Sequence, residues 1–93
     1  MARNPLDLLK DRRFTFDEMI EAIRMSIIAE LDAINLYLQF AKACVNEKVR
    51  RILEDIAREE KTHVGELLAI LKELDNEQDS QLKAGEEEVK GLV

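Results

Sequence analysis

The stretch Cys44-Val45-Asn46 decides the fold, because it separates two long segments whose apolar residues follow helical spacing. Three residues leave room only for a tight reversal between two helices. Asn46 is also a favoured residue at a helix start, since its side chain can accept a backbone amide of the first turn. The sequence therefore predicts an antiparallel helical hairpin whose turn is centred near Val45.

Each arm of the predicted hairpin carries apolar residues three or four positions apart, the spacing of one face of a helix. Thr15 followed by Glu18 has the spacing of a capping box and marks the start of the first arm. Each arm covers about 28 residues, or on the order of 40 Å of helix. The first stripe comprises Phe16, Ile20, Ile23, Ile27, Ile34, Tyr37, Ala41 and Cys44, and the second comprises Val49, Leu53, Ile56, Leu67, Ile70 and Leu74.

The composition agrees with an all-α fold. The 93 residues include only three Gly and one Pro, and 46% of them are hydrophobic. This balance is typical of long helices rather than of sheets. A chain of this length forms one domain at most and buries a limited share of its surface alone. We therefore expect it to associate with further copies of itself.

The charge and hydropathy of the chain exclude several partners. A net charge of −6 and an isoelectric point near 4.8 disfavour nucleic acid, because phosphate binding requires clustered Lys and Arg. No apolar run approaches the roughly 20 residues that span a bilayer, and the amino terminus lacks a secretory signal pattern. A single cysteine, Cys44, cannot form a disulfide within the chain. We expect a cytoplasmic protein that binds neither nucleic acid nor membrane.

Three segments are expected along the chain. Residues 1–13 contain the only proline and no sustained periodicity, so they are predicted to form an amino-terminal arm. Residues 14–84 are predicted to form the helical hairpin domain, with one or two further helical turns over residues 77–83 as a short C-terminal helix. The acidic residues 85–93 are predicted to form a flexible tail.

Two acidic residues interrupt the apolar stripes at matching heights. Glu30 lies fifteen residues before Val45 and Glu60 lies fifteen residues after it, so an antiparallel hairpin places them side by side. His63 follows Glu60 by one turn and shares its helix face. Burying a carboxylate costs on the order of several kcal/mol without a compensating partner, and neither stripe contains Lys or Arg. The pattern therefore predicts a bound metal cation.

The donor types narrow the choice of metal. Carboxylates with an imidazole and no thiolate suit iron or manganese, whereas structural zinc sites draw on Cys and His. Di-metal helical bundles use four carboxylates and two imidazoles, and one chain offers half of that set. We therefore expect two chains to share one site on a two-fold axis. Such a site is a candidate ferroxidase, which oxidises ferrous to ferric iron.

The sequences AELDA at residues 29–33 and EEKTH at residues 59–63 resemble those of the encapsulated ferritin-like proteins, which are short relatives of ferritin and rubrerythrin. The resemblance implies a ferritin-like four-helix bundle completed by dimerisation. It also implies a di-iron ferroxidase centre with Glu30, Glu60 and His63 of each subunit as ligands. Manganese, zinc and calcium are the expected substitutes for iron.

The same resemblance, which covers residues 14–82, implies further features. Tyr37 matches the family's tyrosine beside the centre. Asp32 matches one of the acidic residues proposed to pass iron inward, and Ala29 replaces the other. Family members assemble into a larger ring of dimers, such as a decamer, and an encapsulin shell stores the oxidised iron. No shell-targeting peptide is recognisable after Gly85.

Two other functions fit the same residues. One is a peroxide-scavenging di-metal protein similar to rubrerythrin. The other is a structural or adaptor hairpin in which the polar residues merely fix the register of the helices.

Neighbouring residues leave further alternatives. Glu59 and Glu66 lie one turn from His63 and are either additional ligands, carboxylates that orient the imidazole, or solvated helix surface. A second set of apolar residues lies off the first stripe and favours assembly beyond two chains. This set comprises Ile28, Leu31, Leu36 and Leu38.

Overall fold

The computed structural model describes residues 13–92, so the predicted amino-terminal arm lies outside the described residues except for Arg13. The described part contains three helices and no strand. They are α1 (Phe16–Ala43), α2 (Glu47–Leu74) and α3 (Asn76–Gly91). The predicted all-α fold, with a helical hairpin and a short C-terminal helix, is confirmed.

Side-chain caps fix where the hairpin helices begin. The Thr15 hydroxyl accepts a hydrogen bond from the backbone N–H of Glu18 at 3.2 Å, and the Glu18 carboxylate accepts one from the backbone N–H of Thr15 at 3.0 Å. The Asn46 side chain accepts the backbone N–H of Val49 at 3.0 Å. Each cap satisfies amides that the first helical turn leaves unpaired. The capping box and the reversal at residues 44–46 lie where the sequence predicts them.

The core lies between α1 and α2 and consists of small and branched apolar side chains. The first stripe supplies buried residues as predicted, although Phe16 at its start remains 57% exposed. Small residues at two contact positions let the helices approach closely. The buried apolar residues are Ile20, Ile34 and Ala41 of α1 and Ala57 and Leu71 of α2.

The stripe predicted for α2 is wrong in part. Val49 and Ile70 are 43% and 47% exposed, whereas the buried residues of α2 are Ala57 and Leu71. This helix carries two apolar faces, and the predicted stripe mixed residues from both. Ala57 and Leu71 lie fourteen residues apart, close to four full turns, and this spacing marks the face that packs against α1.

Helix α3 is longer than the sequence predicted. It continues to Gly91 and so includes most of the residues 85–93 that were expected to form a flexible tail. A glycine inside a helix, here Gly85, costs about 1 kcal/mol relative to alanine, but most of its neighbours are good helix formers. Ion pairs one turn apart add support, namely Asp79 with Lys83 and Glu87 with Lys90, each at 3.2 Å.

Helix α3 projects from the hairpin instead of lying along it. None of its residues is buried. The radius of gyration is 16.9 Å and the principal extents are 47 × 46 × 23 Å, whereas a compact domain of this size has a radius of gyration of about 12 Å. No helix within residues 13–92 is long and apolar enough to cross a membrane.

Replacing Gly65, in the interior of α2, with alanine tests how open that helix surface is. A Cβ built at Gly65 meets no atom within 4 Å, so Gly65→Ala should raise the free energy of unfolding by about 0.5–1 kcal/mol in thermal denaturation. Ala69→Gly, one turn further along the same exposed surface, is the matched control and should lower it by a similar amount. A destabilised Gly65→Ala variant would show that another chain occupies this space.

Candidate metal centre

The hairpin brings Glu30, Glu60 and His63 together. One ligand atom from each of the three lies within 4.8 Å of the others. The Nδ1 atom of His63 is 3.6 Å from Oε1 of Glu30 and 3.5 Å from Oε2 of Glu60. The two carboxylates thus meet at the matching heights that their spacing from the turn predicts.

Long apolar helices hold these side chains in place. Glu30 lies in the middle of α1, where Ile34 is buried one turn later and Ile27 is half-buried one turn earlier. Glu60 follows the half-buried Ile56 by one turn on α2. Because residues three or four apart share a helix face, the same packing that joins α1 to α2 turns both carboxylates toward their common groove.

The electrostatics of this group differ from those of other paired acids in the hairpin and α3. The side chains of Glu30 and Glu60 are only 25% and 19% exposed, and within residues 13–92 the only basic side chain within 4.0 Å of them is His63, which is charged only when protonated. Other acids pair with Arg or Lys, as Glu47, Asp55, Asp75, Asp79 and Glu87 do. Two half-buried carboxylates so close together repel one another, and a bound cation would offset that repulsion.

The donor atoms fit a transition-metal ion such as iron or manganese. They are carboxylate oxygens and one imidazole nitrogen, a set that suits these metals better than a closed structural zinc site. The one thiol, at Cys44, lies fourteen residues beyond Glu30 at the far end of α1, about 21 Å along the helix axis. Three donors are too few for a bridged pair of metal ions.

The side of α2 that carries His63 is open and apolar. The His63 side chain is 46% exposed. Ile52 lies eleven residues before it and Ile70 seven residues after it, and both intervals bring a residue back to nearly the same helix face. These isoleucines are 51% and 47% exposed. The stripe predicted for α2 included Ile70 but not Ile52, although the intervals from Ile52 to His63 and Ile70 place all three on one face.

The remaining predicted residues lie outside the three-residue group. Tyr37 is half-buried two turns beyond Glu30 on the same face of α1, and its hydroxyl makes no hydrogen bond within residues 13–92. Asp32 is exposed and points about 200° around α1 from Glu30. Glu59 and Glu66 are exposed beside His63. The roles expected for Tyr37 and Asp32 stay predictions.

The helical hairpin and its group of two glutamates and a histidine are typical of the ferritin-like class of helical proteins. In that class, helices contribute single glutamates and Glu-x-x-His pairs to a di-metal centre, and this hairpin presents one of each. The family model described as Rubrerythrin matches residues 21–91. The chain also superimposes on the crystal structure of the encapsulated ferritin domain from Pyrococcus furiosus with a TM-score of 0.88 and 53% identity, covering 100% of this chain and 95% of that one.

The chain therefore belongs to the rubrerythrin family, among its encapsulated ferritin-like members. It is 55% identical over 90 residues to the ferritin-like-encapsulin shell fusion protein of P. furiosus, a match of 97% of this chain. It is 39% identical over 80 residues to the encapsulin nanocompartment cargo protein EncC of Myxococcus xanthus, a match of 86% of this chain. The chain spans 26% of the first relative's length and 62% of the second's.

Neutralising one carboxylate should stabilise the metal-free protein. In Glu30→Gln the repulsion from Glu60 is lost, so the melting temperature in chelator at low salt should rise by about 4–8 °C, equivalent to about 1 kcal/mol. Glu54→Gln, an exposed acid on α2, is the control and should change it little. A lower melting temperature for Glu30→Gln would show that attraction to His63 outweighs the repulsion.

Proposed function

We propose that this protein is a ferroxidase that oxidises ferrous iron at a di-iron centre shared between two copies of the chain. The observation that carries the proposal is the group of Glu30, Glu60 and His63, whose ligand atoms lie within 4.8 Å of one another on an open face of the hairpin. Two copies supply four carboxylates and two imidazoles, the full set for a di-metal bundle.

The exposed face around His63 supports a shared site. A lone hairpin leaves Ile52 and Ile70 about half exposed on either side of the histidine, and apolar patches of this kind mark interaction surfaces. A second copy related by a two-fold axis would cover these isoleucines with its own and bring its ligand group beside the first. The apolar residues then exclude water around the ligands, which strengthens their attraction for the cations.

The residues act on ferrous iron as the substrate. The carboxylates of Glu30 and Glu60 hold the cations by charge, and His63 donates a nitrogen lone pair. Each of two ferrous ions loses one electron, and dioxygen accepts both electrons with two protons and leaves as hydrogen peroxide. The ferric product carries more charge than the substrate, so carboxylate oxygens stabilise it more strongly. Tyr37, two turns away on α1, is the proposed redox neighbour, and Asp32 is proposed to guide iron toward the site.

The compartment is inferred from the relatives. One relative is named a fusion of a ferritin-like domain with an encapsulin shell, and another is named an encapsulin cargo protein. We infer that this chain works inside an encapsulin shell in the cytoplasm. The shell would hold the oxidised iron, which serves iron storage and detoxification. Assembly of dimers into a larger ring, such as a decamer, would cover the exposed Ile28 and Leu31 of α1.

Removal of a ligand should abolish iron oxidation. Glu60→Ala and His63→Ala should each lower the initial rate of iron oxidation in air by at least about 100-fold, measured as the increase in the absorbance of ferric iron. Loss of a ligand or its support weakens metal binding by about one to two orders of magnitude, and each variant alters two positions of a shared site. Glu59→Gln and Glu66→Gln, the exposed neighbours of His63, are matched controls and should retain most of the rate.

Equal iron binding and oxidation by the parent chain and by both ligand variants would contradict the metal site and favour the structural hairpin. The oxidant is tested in the same assay by comparing oxygen with hydrogen peroxide. A strong preference for peroxide together with a requirement for an added electron donor would assign the chain to peroxide scavenging instead.

Activity should depend on pairing of chains. The rate of iron oxidation per chain should fall when the protein is diluted below the concentration at which it dimerises. Ile52→Glu should lower the fraction of dimer, measured by analytical ultracentrifugation with iron, and should lower the rate in parallel. Ile28→Glu is the matched control for the pairing face, because Ile28 is similarly exposed but lies about 200° from Glu30 around α1; it should weaken the larger ring while leaving the dimer and its rate unchanged. A monomer that oxidises iron at the full rate would contradict the shared site.

A further inference from the structure

A single residue, Asp75, forms the junction between α2 and α3. Its backbone N–H donates to the carbonyl of Leu71 at 2.9 Å and closes α2. Its Oδ1 atom accepts the backbone N–H of Gln78 at 3.0 Å and caps α3. Its Oδ2 atom accepts a hydrogen bond from Nη2 of Arg24 on α1 at 2.7 Å. One residue therefore connects all three helices, through its backbone N–H to α2 and through its carboxylate to α1 and α3.

The contact with Arg24 is unlike the other ion pairs between arginine or lysine and acids in the described residues. It joins positions 51 residues apart, whereas the others join residues three or four apart within one helix. The Asp75 side chain is only 20% exposed, beside Phe16, Ile20 and Leu74. The Arg24 side chain is 50% exposed, so water and salt screen the pair in part, from the arginine side.

Little else holds α3 in place. It has no buried residue, and a single non-helical residue separates it from α2. A helix of 16 residues is marginally stable without tertiary support. Of its larger apolar residues, Leu82 is half-buried and Val89 is 62% exposed, so packing against the hairpin contributes little to its direction.

We propose that Arg24 and Asp75 form a latch that fixes the direction in which α3 leaves the hairpin. The two oxygens of the carboxylate have different partners: Oδ1 caps the first turn of α3, and Oδ2 binds Arg24 on α1. Without Arg24 the cap would remain but the junction could rotate. The latch holds Val89 away from the apolar surface of its own hairpin and presents α3 as a fixed arm.

The latch is tested by the distance between spin labels on α2 and α3. The labels are placed at Lys48→Cys and Glu88→Cys in a Cys44→Ser background, and the labelled chain is diluted with unlabelled full-length chain so that only distances within one chain are measured. The parent should give one narrow distribution. Arg24→Gln should broaden or shift it, and Asp75→Asn should do the same because asparagine keeps the helix cap but loses the charged partner.

Two controls separate the latch from a general loss of structure. Arg24→Lys keeps a cation at this position and should restore much of the narrow distribution. Lys83→Gln removes an ion pair within α3 and should leave the distribution unchanged. An unchanged distribution in both Arg24→Gln and Asp75→Asn would overturn the proposal.

Hydrogen exchange provides a second measurement on the same variants. In Arg24→Gln the amides of α3 should exchange up to about fivefold faster, because this factor corresponds to the stability that an exposed to half-buried ion pair contributes. The amides of α1 and α2 should keep their rates. Equal acceleration across all three helices would assign the pair to overall stability and would also overturn the latch.

Discussion

The packing of α1 against α2 is the interaction on which the rest of this structure depends. Burial of Ile34 and Leu71, with Ala57 at a close contact, fixes the register of the two helices. That register places Glu30 beside Glu60 although neither has an arginine or lysine partner within residues 13–92. The apolar core thus stabilises a position that is electrostatically unfavourable for the two carboxylates, and a cation can relieve it.

Two separate features of the hairpin support the proposed pairing of two chains. The candidate ligands Glu30, Glu60 and His63 offer three donors, whereas a di-metal bundle uses six. The outer face of the hairpin leaves Ile52 and Ile70 exposed on either side of His63. A two-fold related copy would complete the ligand set and cover the apolar face together, so metal binding and association would stabilise each other. The direction of α3 is assigned to a different contact, that between Arg24 and Asp75.

Much of the fold was predictable because local signals agreed with each other. Thr15 with Glu18, and Asn46 at the end of the three-residue reversal, mark helix starts through side-chain to backbone hydrogen bonds that involve only nearby residues. The proximity of Glu30 and Glu60 was also predictable, since equal distances from a tight turn set equal heights in any antiparallel hairpin. The buried face of α2 was not, because that helix has apolar residues on two faces and periodicity alone does not say which face meets α1.

The sequence by itself determined the helices, the hairpin and the heights of its polar residues, since these depend on spacing and on short-range hydrogen bonds. The tertiary structure decided which apolar residues are buried, how far His63 is exposed, and where α3 points. Those properties depend on contacts between residues distant in sequence, such as Arg24 and Asp75, which lie 51 residues apart. No local pattern in the chain specifies such a contact, because it exists only after α1 and α2 have packed.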